Sequence, residues 1–282
     1  MKKIILILSI SALISCKKEK LPPSVLSIKN SVENLHIQDS LSKNKIIHAQ
    51  HSEKDFYSEI KNYDISGIIT ASDFHTYDES NEIIQRPEPI GYIGTDYQRF
   101  HIHFTRIEKN IKNPYEYTVE GKSMVKNIIR SFKGNLLIIK SELSKTTNLP
   151  ELRQGFALCK VEFKEDAHLS ATGIFKGDLK VGFVLNENKE MQYDGIGFNA
   201  DSFSNNRFEG NWTSFKTQHS KKVRFGDFRI PDSGDLDIGA GEFSPNPKYW
   251  DKGWKYYILS IAGETEKDSD LGKKMEARTW WK

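Results

Sequence analysis

The chain has 282 residues, 37% of them hydrophobic and 28% charged, with a formal charge of +3; its mean hydropathy is −0.57. That balance excludes a polytopic membrane protein and wholesale disorder. The small charge excludes a surface built to track nucleic-acid phosphates, and two cysteines are too few for a disulfide framework.

Lys2 and Lys3 precede an apolar run from Ile4 to Ile14, broken only by Ser9 and Ser11. A bilayer-spanning helix takes roughly 20 residues, so this shorter run reads as a secretion signal over residues 1–15. It ends in Leu13-Ile14-Ser15-Cys16, which resembles the bacterial lipobox. The resemblance implies a diacylglyceryl group on the Cys16 thiol, cleavage just before it, and two or three acyl chains, palmitate among them. More than one chain is needed, because a single chain holds a protein only marginally. Lys17, Lys18 and Lys20 would lie by anionic headgroups, each worth about 1 kcal/mol there. The alternatives are an ordinary signal peptide, or a buried amphipathic N-terminus with a chance Cys.

Residues 16–60 read as the lipidated Cys and a polar tether, rich in Lys, Ser, Asn, Glu and Gln, with Pro22-Pro23 near its start. Val25, Ile28, Val32 and Leu35 fall at helical spacing, which fits either a short amphipathic helix or a disordered spacer. Residues 61–282 read as one β domain. Phe100, Ile102 and Phe104 alternate with polar neighbours, as do Tyr115, Tyr117 and Val119, then Cys159, Val161 and Phe163, then Leu179, Val181, Phe183 and Leu185. Trp254, Tyr256 and Ile258 extend the same pattern, and no uninterrupted helical pattern of ten or more residues is evident after residue 63. Period-two alternation punctuated by Gly, Asn and Asp predicts antiparallel strands with one buried face.

Phe132-Lys133-Gly134-Asn135-Leu136 is echoed by Phe175-Lys176-Gly177-Asp178-Leu179 and Phe208-Glu209-Gly210-Asn211-Trp212, at spacings of 43 and 33 residues. Ile65-Ser66-Gly67-Ile68 reads as a further instance. The spacing is too uneven for a propeller or solenoid, whereas glycines inside strands mark bends. The fold class expected is therefore all-β, a single antiparallel barrel or strongly curved sheet rather than a two-sheet sandwich. Gly210-Asn211-Trp212 makes it lipocalin-like at most, because that motif belongs to a first strand and here lies late in the chain.

Further stretches carry a wider resemblance: Pro89-Ile90-Gly91-Tyr92-Ile93-Gly94-Thr95-Asp96-Tyr97-Gln98-Arg99-Phe100-His101-Ile102-His103-Phe104, with Asn113-Pro114-Tyr115-Glu116-Tyr117 and Gly121-Lys122-Ser123 behind it, then Asp235-Leu236-Asp237-Ile238-Gly239-Ala240-Gly241-Glu242-Phe243-Ser244-Pro245 and the ending Trp280-Trp281-Lys282. Together with the lipobox they look like a family of small, uncharacterised Bacteroidetes lipoproteins. The resemblance implies an envelope location and a shared β fold, and it carries over no catalytic residue.

Candidate sites are few. Gly121-Lys122-Ser123 lacks the upstream glycine of a phosphate loop, since position 116 is Glu, and it sits in a strand pattern without a following helix. His101 and His103 share one face of a strand and could present two imidazoles to zinc, given a third ligand. The bland reading makes them the polar face of a half-buried strand. Asp232, Asp235, Asp237 and Glu242 offer oxygens to calcium, without EF-hand order; a solvated turn is the plainer reading. Trp250, Trp254, Tyr256 and Tyr257 could stack on a sugar or an apolar ligand, with core packing favoured for about half of them. Cys159 falls on an apolar face, where a thiol is an inert small hydrophobe, and no nucleophile elbow is present.

The sequence thus reads as a non-enzymatic, lipid-anchored envelope protein with a binding or structural role. It is expected in the outer membrane, because Lys17 rather than Asp follows the Cys. Its partners would be the membrane, through the lipid, and an envelope protein or glycan; no cofactor and no nucleic acid are expected. The alternative is a small-ligand carrier, for lipid or glycan, using a β-barrel cavity.

Overall fold

The computed structural model describes residues 54–78, 80–144, 149 and 151–282. The signal, Cys16, and the apolar spacing at Val25 to Leu35 lie outside the described residues. The first described elements are a short strand, β1 (Lys54–Asp55), two single-turn helices, α1 (Tyr57–Ile60) and α2 (Ser66–Ile69), and a small hairpin of β2 (Asp73–His75) and β3 (Ile83–Gln85). Next come β4 (Ile90–Ile93), β5 (Gln98–Lys109), β6 (Glu116–Val125), β7 (Ile128–Leu143), β8 (Arg153–Glu165) and β9 (Gly173–Leu185). A short β10 (Met191–Tyr193) pairs with β9, and β11 (Asn205–Ser214) and β12 (Ser220–Asp227) follow. Eight of these strands close an antiparallel barrel in the order β7-β6-β5-β4-β12-β11-β9-β8 and back to β7.

The alternating residues fill the lumen. Phe100, Ile102, Tyr117, Val119, Phe132, Leu136, Ile138, Cys159, Val161, Phe163, Phe175, Leu179, Val181, Phe208, Val223 and Phe225 belong to one buried cluster. Phe132 stacks on Phe163 at 5.0 Å between ring centroids, and Phe208 on Phe225 at 4.7 Å. The inward series on β5 resumes at Ile107 because the register shifts between Phe104 and Arg106, an extra residue that bends the strand.

The recurring aromatic-x-Gly motif accounts for the curvature. Gly177 of β9 lies opposite Gly210 of β11, and a Cβ on Gly177 would stand 2.5 Å from the Gly210 Cα. On Gly134 a Cβ would meet the Glu162 carbonyl oxygen of the neighbouring strand at 1.9 Å. Backbones approach here more closely than any side chain allows, which is how a small barrel turns its corners. Gly67 is not a fourth instance, since it lies in α2 with open space around it.

One end of the barrel is plugged. Phe56, Ile60, Ile65, Ile68 and Ile69 join the lumen cluster, Phe56 N–H donates to the Ser141 carbonyl at 2.9 Å, and Ile65 N–H to the Tyr117 hydroxyl at 3.3 Å. Residues 54–60, placed by the sequence in the tether, therefore belong to the fold. The plug is pinned by a buried ion pair. Arg86 holds Asp227 through two bonds from Nη1 at 2.9 and 3.0 Å, and its Nε and Nη2 donate to the carbonyls of Ala71 and Ile69. Tyr193 and Asn206 also donate to Asp227, which is fully buried. Burial pushes the Asp227 carboxyl up and the Arg86 guanidinium opposes that shift.

The C-terminal 50 residues cover the outside of β4 and β5. Helices α3 (Lys255–Ala262) and α4 (Glu266–Glu276) stand where the sequence pattern predicts a strand and no long helix. Trp254, Tyr257, Ile258 and Ile261 repeat at i, i+3, i+4 and i+7, a helical stripe that also samples as alternation over its first five residues. In α4 the Thr265 hydroxyl caps the start by accepting from Asp268 N–H at 3.2 Å. Acids in its first turn and lysines in its last complement the helix dipole. A second cluster of Ile90, Tyr92, Ile230, Leu236, Phe243 and Trp254 packs this cover against β4. All four β4 residues are therefore buried, two on each face. Among the described residues no helix is long and apolar enough to cross a membrane.

Gly134→Ala should lower stability by about 1–3 kcal/mol, the overpacking range, because backbone rather than a movable side chain stands in the way. Urea unfolding followed by fluorescence checks this; an unchanged midpoint would show that the close approach is not required.

Candidate functional site

The outer face of β5 carries Arg99, His101 and His103, one residue out of phase with the lumen series. Arg99 is only 4% exposed. Its guanidinium carbon lies 4.4 Å from the centroid of the Trp254 ring and 5.0 Å from that of Tyr257, and Nη2 donates to Glu276 at 2.9 Å. Nε and Nη1 have no hydrogen-bond partner among the described residues, so the aromatic faces take the place of acceptors. His101 lies 5.9 Å from the Trp280 ring, and burial with the Arg99 charge pushes its pKa down to about 3. His103 stacks on Trp281 at 3.9 Å and bonds Glu88 through Nδ1 at 3.0 Å. The carboxy-terminal residues thus lie along the histidine face, with the Lys122 ammonium bonded to the Trp281 carbonyl.

Beside this cover lies a cleft of about 630 Å³. Its walls are β4 and β5, the loops 194–204 and 228–243, α3 and the Trp280 side chain. Phe198, Phe203 and Phe228 form a triangle with centroid separations of 5.3, 5.3 and 5.5 Å, rooted on the buried Phe74. Phe228 adopts φ +62°, a left-handed conformation that costs a bulky residue about 1–3 kcal/mol and persists only where its surroundings impose it. Arg229 clamps the facing loop, with Nε on Asp237 at 2.7 Å, Nη1 on the Gly241 carbonyl at 2.9 Å and Nη2 on the Gly239 carbonyl at 2.5 Å. Loop 194–204 is tied at its root by Asp194, which accepts from Gln154 Nε2 at 2.8 Å and Ile196 N–H at 3.0 Å.

A smaller recess of about 210 Å³ occupies the unplugged barrel mouth. At its base the buried Glu165 accepts from Ser123 Oγ at 2.9 Å, Gly173 N–H at 2.8 Å and Trp212 Nε1 at 2.9 Å. Desolvation raises its pKa while those donors oppose the rise. The Trp of the Gly-x-Trp sequence thus ties β11 to β8.

The metal readings are not carried by this arrangement. The described residues contain no group of three His, Cys, Asp or Glu side chains placed to hold an ion. His101 and His103 rest against tryptophans. The acidic loop is dispersed among separate cations: Asp232 pairs with Lys222 and Arg224, Asp235 with Lys248, and Asp237 with Arg229. Glu242 alone opens into the cleft. The aromatic group divides, Trp254 being fully buried and Tyr257 lining the cleft. Trp250 and Tyr256 are 39% and 37% exposed. Gly121-Lys122-Ser123 lies within β6. Arg99, Glu165, Phe198 and Phe203 are the residues sequence reasoning missed. Glu165 was visible as an acid in phase with Cys159, Val161 and Phe163.

Comparison with protein-family models, curated proteins and solved structures returns no match.

Burial raises the Asp194 carboxyl to about 6. A carboxyl raised above its unfolded value of about 3.9 contributes stability that is fully present below pH ~4 and lost as pH rises through about 6. Asp194→Asn should therefore remove a pH-dependent component of about 3 kcal/mol, gaining on the parent between pH 4 and 7. Urea midpoints of both proteins across that range check the prediction; parallel curves would contradict it.

Proposed function

We propose that this chain is a lipid-anchored bacterial envelope protein, held in the outer membrane through Cys16, whose non-enzymatic role is to bind a partner or ligand in the flank cleft. The anchor reading rests on the basic start, the short apolar run and the Leu13-Ile14-Ser15-Cys16 ending, with the Bacteroidetes-type resemblance beside them. The binding reading rests on one observation. The barrel lumen is packed with rings, whereas a cleft of about 630 Å³ lies outside it, within the range of small-ligand sites. In support of a non-enzymatic role, burial pushes the Cys159 thiol up to about 12, which withholds the thiolate a nucleophile needs.

The second reading, a carrier using the barrel cavity, is favoured only by the recess over Glu165. Its volume of about 210 Å³ lies below the usual range for such sites, and Phe100 and Phe175 close it from below.

Cys16→Ala should move the protein from the membrane fraction to the soluble fraction and abolish metabolic labelling by a radioactive fatty acid. Unchanged fractionation would refute the anchor.

A further inference from the structure

Resting on the flank cleft as the binding site, we propose that its ligand is a short oligosaccharide of neutral or amino-bearing sugars. A sugar ring presents an apolar C–H face and a rim of hydroxyls that both donate and accept. The cleft offers counterparts to each. Phe198, Phe203 and Phe228 are half-buried and meet edge to face, which leaves apolar ring surface for a sugar face to cover. His101 reaches the cleft with no hydrogen-bond partner for its ring nitrogens among the described residues. Held neutral by burial and Arg99, it keeps one donor and one acceptor. Asp201 and Glu242, from the two facing loops, line the cleft without a hydrogen bond or ion pair among the described residues.

Other ligand classes fit less well. Arg229 is engaged by Asp237 and two carbonyls, and the unpaired Nε and Nη1 of Arg99 are buried against two rings, so neither guanidinium presents a clamp to a phosphate. The barrel strands here, β4 and β5, are paired on both edges, so an extended peptide finds no edge to join. A lipid chain would bury Asp201, Glu242 and His101 without partners, a cost that polar groups impose in apolar contact. The uncommitted charge is negative, which disfavours acidic sugars and favours amino sugars.

The test uses the full-length lipidated protein in detergent, titrated with maltotriose, cellotriose, triacetylchitotriose, a glucosamine trimer and trigalacturonate, with tryptophan emission and calorimetry as readouts. At least one neutral or amino-bearing trimer should bind. Phe198→Ala, checked for an unchanged melting temperature, should weaken it by about tenfold or more, as loss of a stacking face does. Asp201→Asn with Glu242→Gln should weaken the glucosamine trimer more than a neutral one. Trigalacturonate binding as tightly as the others, or no trimer binding at millimolar concentration, overturns the proposal. Sugar binding that ignores Phe198→Ala overturns the cleft reading as well. A photo-crosslinker at Ile261 that captures a protein in intact cells, with no sugar bound, leaves the cleft standing and removes the sugar.

Discussion

The phenylalanine rings that fill the lumen constrain everything else in this molecule. Phe100, Phe132, Phe163, Phe175, Phe208 and Phe225 are each at most 3% exposed, and burial of such a ring contributes roughly 1.5–3 kcal/mol. They fit inside eight strands that bend where a Cβ would clash with the neighbouring strand, at Gly134 and at the Gly177–Gly210 pair. A wider barrel would need no such glycines and would leave a cavity, as the size relation for barrels requires. Packing the lumen thus supplies stability and leaves, among the described residues, only the recess of about 210 Å³ at the unplugged mouth. It also relieves the fold of any need for a disulfide, which a protein with its one described cysteine buried in that core cannot make.

With the lumen packed by rings, the cleft of about 630 Å³ lies outside the barrel, and the C-terminal cover forms part of its wall at some expense. Arg99 is buried with two guanidinium nitrogens, Nε and Nη1, unpaired among the described residues, a burden of the kind that usually costs about 1–3 kcal/mol for each unsatisfied group. The faces of Trp254 and Tyr257 and the Glu276 carboxylate offset part of it. The return is positional: the guanidinium sets Tyr257 and Glu276, and the same strand face sets His101. These groups border the cleft, so the packing that fixes the cover also fixes one of its walls.

How much of this was legible follows from which periodicities survive translation into structure. The lumen series at Phe100, Cys159 and Leu179 was readable because one inward face obeys a strict period of two. The aromatic-x-Gly motif was readable as a bend for the same reason. Trp254 to Ile258 was misread because five residues cannot separate alternation from a helical stripe, and only Ile261 at the seventh step does so. The short-range pattern at Ile65 to Ile68 failed likewise. The cleft was illegible, since it joins Phe198 to Trp280 across a closed barrel, and no local pattern encodes which loops meet. His101 and His103 drew notice for their type, but the tryptophans that cover them lie about 180 residues away in sequence.

Three consecutive residues show how the core and the cleft are coupled. Asp227 sits in the buried network with Arg86, Tyr193 and Asn206 that pins the plug. Arg229 N–H returns to the Asp227 carbonyl at 2.7 Å, a tight reversal that forces Phe228 between them into its left-handed conformation. Phe228 then closes the aromatic triangle, and Arg229 folds its own loop, 228–243, back on itself through Asp237, Gly239 and Gly241. The N-terminal side of the reversal is anchored twice, by the Asp227 side-chain network and by the pairing of β12 with β11 and β4. The buried Arg86–Asp227 pair therefore stands at the root of the cleft wall that Phe228 and Arg229 form, so the network that seals the barrel also supports the strained residue beside the cleft.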